Sequence, residues 1–208
     1  MDTKICSKAI ELLQELIQTP SFSGEEELTA TLIENWFASF NVKTNRAKNN
    51  VWAVNKYFDA AKPNILLNSH HDTVKPNEGY TNGPFEAIVE GDKLFGLGSN
   101  DAGGCLAALM ATFVHFYNEK DLKYNLIIAT TGEEENSGPN GLKDLIKSLP
   151  EIEFAVVGEP TEMQLAIAEK GLLVIDAYAS GIAGHAAHEN TENAIYNAME
   201  DIHWVRNY

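Results

Sequence analysis

Ile65-Leu66-Leu67-Asn68-Ser69-His70-His71-Asp72 begins as an apolar run and ends, within a few residues, in imidazole and carboxylate. Two further stretches have the same shape. Leu126-Ile127-Ile128-Ala129 runs into Thr130-Thr131-Gly132-Glu133-Glu134, and Phe154-Ala155-Val156-Val157 runs into Gly158-Glu159-Pro160-Thr161. Short, near-continuous apolar runs predict strands buried on both faces, as in a parallel sheet. Helical patterns lie between them at Ala102–Tyr117 and Gly141–Leu149. Strands alternating with helices predict an α/β architecture with helices layered on a sheet.

Upstream, apolar residues at Ile5, Ala9, Leu12, Leu13, Leu16 and Ile17 form a helical stripe that Thr19-Pro20 stops. Ser23 and Glu26 have the spacing of a capping box for a second helix, with Leu28, Leu32, Trp36 and Phe37 on one face. A β-like stretch follows at Val51–Phe58. The style changes after Glu159: residues 165–180 read as two strands joined at Lys170-Gly171, and Ala194–Val205 as a helix. The expected division is a catalytic, metal-binding domain over 1–164 and the beginning of a smaller lid or dimerisation domain over 165–208.

The net charge of −15 across 208 residues argues against nucleic-acid or anionic-membrane partners. The first residues lack the basic-then-apolar layout of a secretory signal, and no apolar run reaches the length of a membrane span. Cys6 and Cys105 read as reduced, small hydrophobes in helical patterns. A cytoplasmic protein is expected.

Ligands of open α/β sheets bind outside the carboxyl ends of the strands. This sequence places His70, Asp72, Glu133, Glu134 and Glu159 there, and Asp101 in a Gly-rich turn that enters a helix. Alone, each has an ordinary explanation: Asp101 is a helix N-cap, and Glu133-Glu134-Glu135 a solvated acidic loop. Together they deliver one imidazole and several carboxylates to one rim, a donor set that suits zinc, cobalt or manganese.

The ordered motifs resemble the zinc aminoacylase and carboxypeptidase family that includes acetylornithine deacetylase and succinyl-diaminopimelate desuccinylase. Ser69-His70-His71-Asp72-Thr73-Val74-Lys75-Pro76 is similar to its His-x-Asp-Thr-Val-x-Pro motif. Gly96-Leu97-Gly98-Ser99-Asn100-Asp101-Ala102-Gly103-Gly104 is similar to its Gly-x-Gly-x-x-Asp-x-Lys-Gly motif, with Gly103 where Lys is usual. Thr131-Gly132-Glu133-Glu134-Glu135, Gly158-Glu159-Pro160-Thr161 and Gly184-His185-Ala186-Ala187-His188 resemble the later ones.

The resemblance implies a three-layer α/β/α zinc-peptidase domain followed by the start of a small α+β lid, and two divalent metal ions, zinc first and cobalt second. Asp101 would bridge the ions, His70 and Glu159 would complete one site, and Glu134 would bind the other. Asp72 would orient His70, leaving His71 a spectator. Glu133 would take a proton from a water held between the ions, and His185 would steady the oxyanion across a homodimer. A cis peptide is implied at Asp101-Ala102.

The implied activity is removal of the acyl group from a small N-acyl amino acid, N-acetylornithine first (arginine biosynthesis), with desuccinylation or dipeptide hydrolysis as alternatives. The family completes its second metal site with a His beyond the lid, and no residue before Tyr208 matches it. A fragment of a longer protein is therefore expected, and a metal-binding piece without turnover is the competing expectation.

Overall fold

The structure is a computed structural model that describes residues 2–168, 170–189 and 192–208. It divides into two compact units, Met1–Gln164 and Leu165–Tyr208.

In the first unit, helix α1 spans Thr3–Gln18 and begins at Asp2, whose carboxylate accepts from the Lys4 N–H. Helix α2 spans Glu27–Ser39. Strands β1 (Asn45–Ala47), β2 (Asn50–Val54) and β3 (Asn64–His70) follow, then a β4–β5 hairpin (Ile88–Glu90, Lys93–Phe95) that the sequence patterns did not indicate. An irregular turn, Ser99–Gly104, leads into α3 (Cys105–Phe116), β6 (Asn125–Thr131), α4 (Leu142–Leu145) and β7 (Phe154–Val157).

The five-stranded sheet has the order β1-β2-β6-β3-β7. Strand β3 runs parallel to both β6 and β7, while β2 runs antiparallel to β6, so the sheet is mixed. The register sets His70 beside Thr131 and Asn68 beside Val157. The acidic segments that follow these strands thus start from one edge of the sheet.

Helices α1, α2 and α3 cover one face, where Leu12, Ile33, Phe37, Leu106, Met110 and Phe113 pack on Val51, Leu67 and Ile128. The other face is thinner: Leu66, Ile127 and Ala129 meet Leu145, with Leu142, Leu149 and Ile152 around them. The expected α/β sandwich is therefore present.

Several local expectations fail. Helix α2 has no side-chain cap, and the Ser23/Glu26 capping box does not form: Ser23 bonds Asp72, and Glu26 accepts from the Gly24 and Glu133 N–H groups instead of that of Ser23. Leu28 is exposed, and the buried face of α2 runs through Thr29, Ala30, Ile33, Trp36 and Phe37. Strand β7 is not buried on both faces; Phe154 and Val157 stay more than half exposed at the sheet edge.

In the second unit, Asn193 caps helix α5 (Ala194–Asn207) by accepting from the Ile195 N–H at 2.9 Å. The two strands expected over 165–180 do not form among the described residues. A lone hairpin is marginal without a covered face, and Leu172–Ile175 are largely exposed. Among the described residues no helix is long and apolar enough to cross a membrane.

Candidate metal centre

His70 closes β3 and is 1% exposed. Its Nδ1 lies 3.0 Å from the main-chain carbonyl of Asp72 and 3.4 Å from that residue's carboxylate. The contact expected with Asp72 is thus present, with the carbonyl as the nearer acceptor. Anchoring Nδ1 leaves Nε2 facing three carboxylates: Asp101 Oδ1 at 3.2 Å, Glu134 Oε2 at 3.8 Å and Glu159 Oε2 at 3.9 Å. Burial opposes charge on this ring. The hydrogen bond and charge of Asp72, joined by the charges of Glu159 and Glu134, overcome it and lift the pKa to about 9.

His70, Asp101 and Glu159 each offer one ligand atom, and these atoms lie within 4.8 Å of one another. One anchored imidazole and two carboxylates at such separations fit a divalent cation. Burial, and then the surrounding carboxylates, raise the pKa of Glu159 despite His70. Burial likewise raises that of Glu135, with Asp101 the foremost charge acting on it. Among the described residues, His70 is the only basic side chain in an ion pair with these carboxylates. The rim is therefore built to attract positive charge.

Asp72 is fully buried. It accepts from Ser23 Oγ at 2.7 Å and from the Glu134 and Glu135 N–H groups, both at 3.1 Å. Burial alone would raise its pKa; the hydrogen bonds from His70, Ser23 and the two backbone groups outweigh it and hold the carboxyl below its ordinary range.

The expected base does not join the cluster. Glu133 has φ +57°, in the left-handed region, and its carboxylate accepts from Asn140 through the backbone N–H at 3.0 Å and the side-chain amide at 2.7 Å. Glu134 Oε2, by contrast, lies 3.8 Å from His70 Nε2, and the charge of Asp101 acts on Glu135. A run of three glutamates gives no hint of this register.

His71 is not idle either. It is buried, its Nδ1 lies 2.9 Å from Thr29 Oγ1, and its Nε2 lies 3.0 Å from the Asn49 carbonyl. Burial, the dominant influence, pushes its pKa down to about 4 and keeps it neutral. The Asp101-Ala102 peptide bond is cis. At Gly103, where the resemblance leads one to look for Lys, an added Cβ would stand 2.6 Å from the Gly98 carbonyl oxygen and 2.7 Å from Leu13 Cδ1. This backbone has no room there for a side chain.

A cavity of about 320 Å³ opens beside the cluster, with His70, Glu133, Glu134, Lys143 and Glu159 in its wall. Lys143 is the basic residue of that wall other than the imidazole. In the second unit, His185 is exposed; its Nδ1 accepts from the Ala187 N–H at 3.1 Å, and its ring lies 5.6 Å from that of His188.

The model of peptidase family M20/M25/M40 matches residues 66–203. Succinyl-diaminopimelate desuccinylase of Gluconobacter oxydans (strain 621H) is 30% identical over 204 residues, covering 92% of this chain and 53% of that protein. Acetylornithine deacetylase of Buchnera aphidicola subsp. Schizaphis graminum (strain Sg) is 27% identical over 209 residues, covering 94% of this chain and 53% of that protein. The chain spans about half the length of the curated relatives it matches. Among solved structures, the Bacillus subtilis YXEP protein, a dinuclear metal binding peptidase, superposes with a TM-score of 0.57 at 17% identity, over 76% of this chain and 43% of that one.

Proposed function

The chain belongs to peptidase family M20/M25/M40, and from that premise we propose that it supplies the metal-holding part of a hydrolase that cleaves the amide bond of an N-acyl amino acid. One observation carries the proposal: the Nε2 of a buried, anchored histidine faces the carboxylates of Asp101, Glu134 and Glu159 at 3.2–3.9 Å. His70, Asp101 and Glu159 would hold one divalent ion, and Asp101 would be shared with a second. The sequence expectation gave Glu134 to the second ion and the base's role to Glu133. The directions of the side chains support moving both roles one residue along, to Glu135 and Glu134. Zinc is the first metal to test and cobalt the second, since the nitrogen and oxygen donor set accepts either.

Bound divalent ions supply Lewis acidity, polarising the amide carbonyl and easing deprotonation of the attacking water. Glu134 takes the proton from that water and hands it to the departing amine. Asp72 keeps the His70 ring turned toward the cluster and steadies the backbone of Glu134 and Glu135. His185, reaching across a homodimer of the full-length protein, donates to the developing oxyanion.

N-acetylornithine and N-succinyl-diaminopimelate stand equally, as the two curated relatives divide between them. The test is to express the full-length protein, measure metal by elemental analysis, and assay both substrates in parallel. Two ions per chain with turnover of either substrate is the expected result. One ion or none, with no turnover, defeats the proposal and favours a metal-binding piece without catalysis.

A further inference from the structure

Three successive N–H groups, those of Glu133, Glu134 and Glu135, donate to two buried carboxylates. Asp72 receives the last two and is already occupied with His70. Glu26 receives the first at 3.0 Å, and nothing in the proposed chemistry uses it. Glu26 is 0% exposed, and among the described residues no Lys, Arg or His forms a salt bridge with it. An ionised carboxylate in such a place is costly unless donors surround it. Three do: the Gly24 N–H at 2.6 Å, the Asn49 amide at 2.7 Å and the Glu133 N–H.

The donors are themselves braced. The Asn49 carbonyl meets His71 Nε2 at 3.0 Å, and His71 Nδ1 meets Thr29 Oγ1 at 2.9 Å. Thr29 Oγ1 also lies 3.0 Å from the Glu26 carbonyl. With His71 neutral, its Nε2–H donates to the Asn49 carbonyl and its Nδ1 accepts the single Thr29 hydroxyl proton, so Glu26, Asn49, His71 and Thr29 are linked in a chain of hydrogen bonds, with the Glu26 carboxylate receiving the Asn49 amide and the Glu133 N–H. A chain of this kind fixes direction as well as distance. The Glu134 side chain is 55% exposed, so packing does little to orient it and its backbone must do so.

We infer that Glu26 is a positioning residue: held by the Asn49–His71–Thr29 chain, its carboxylate anchors the Glu133 N–H and thereby fixes the twist that aims Glu134 at the cluster. The inference rests on Glu134 being the base. Without Glu26, the Glu133 N–H loses its acceptor while Asp72 still holds the next two, so the backbone between them can turn and move the Glu134 carboxylate relative to His70.

The test uses the metal-loaded full-length protein. Glu26→Gln keeps shape and burial but turns an NH2 group toward either Asn49 or the backbone donors. It lowers kcat about 10- to 100-fold, the scale of a misplaced catalytic group, while KM and metal content stay within about twofold. Amide hydrogen exchange in the peptide covering 131–136 quickens. Adding Asn49→Asp to Glu26→Gln restores donor facing acceptor and recovers most of kcat and of the exchange protection.

A kcat for Glu26→Gln within about threefold of the parent overturns the inference, as does a loss matched by lost metal or a double variant that recovers nothing. Glu134→Gln is run alongside. If it retains turnover, the base assignment falls; if it is inactive while Glu26→Gln is unimpaired, the clamp alone falls. Should Glu26→Gln fail to fold, Thr29→Val breaks the chain at equal volume, and unchanged kcat and exchange there overturn the inference.

Discussion

Exchanging Glu133 and Glu134 for glutamine, one at a time, gives opposite outcomes if the backbone twist sets the register of the site. Glu133 accepts two hydrogen bonds from Asn140, at 2.7 and 3.0 Å. Bonds to a charged acceptor contribute about 1.5–3 kcal/mol each, and glutamine can keep one of the two, so Glu133→Gln loses roughly 1–3 kcal/mol of stability. Its carboxylate is engaged by Asn140 and forms no ion pair with His70, so kcat should stay within a few-fold of the parent.

Glu134 is more than half exposed and makes no comparable bond, so Glu134→Gln changes stability by about 0.5 kcal/mol or less. It removes the proton acceptor, and kcat falls by about 10²- to 10⁴-fold. The assay is steady-state release of the primary amine from N-acetylornithine and from N-succinyl-diaminopimelate, run beside thermal melts and metal analysis on the same preparations. Refutation is clear: if Glu133→Gln abolishes turnover with metal content intact while Glu134→Gln remains active, the base is Glu133 and the side-chain directions described above misassign it.

Chelation of the metals should lower the melting temperature and re-addition of zinc should restore it; at about a hundredfold excess over Kd a single ion stabilises by about 2.7 kcal/mol, and a melting curve indifferent to chelator would count against the site. Asp72→Asn replaces an acceptor shared by Ser23, two backbone groups and His70, so metal affinity or kcat should fall about 10- to 100-fold in competition and kinetic assays. Lys143→Met should raise KM about 3- to 5-fold with kcat held, the scale of an exposed ion pair with a substrate carboxylate. Phe37→Ala empties a fully buried position beside Phe113, and denaturant unfolding should register about 3–5 kcal/mol.

The fold was legible where one local signal had one outcome. Apolar runs ending in polar residues gave β3, β6 and β7, and the rule that ligands gather at strand ends pointed to His70 and Glu159, with Asp101 read in the Gly-rich turn that enters α3. Signals with two outcomes misled. Ser23 and Glu26 have the spacing of a helix cap, yet Ser23 bonds Asp72, 49 residues away, and Glu26 bonds the Glu133 backbone, 107 residues away. Charged acceptors buried in a low dielectric hold donors more strongly than a solvated helix end does, so the long-range bonds won. His71 read as a spectator because a metal motif names only the residue beside it, whereas burial made its hydrogen bonds obligatory. The three consecutive glutamates carried no register at all until Glu133 adopted φ +57°.

The distribution of charge explains why such a site persists in this fold. The chain carries a net charge of −15, yet its described salt bridges to Lys and Arg lie elsewhere, at Lys8–Glu11, Arg46–Glu34 and Lys147–Asp144. At the rim, Asp101, Glu134 and Glu159 share one imidazole, and burial with mutual repulsion raises the pKa of Glu159. Replacing one of these carboxylates with a cationic side chain would relieve that repulsion. The sequence instead ties the backbone of Glu134 and Glu135 to the buried Asp72 and leaves His70 as the basic partner of the rim carboxylates. Carboxylates that repel one another in this way gain most from a cation of high charge density. The bonds of Asp72 to His70 and to the 134–135 backbone are therefore part of the metal affinity, whereas the bond of Glu26 to the Glu133 N–H bears on the aim of Glu134 and not on holding the ion.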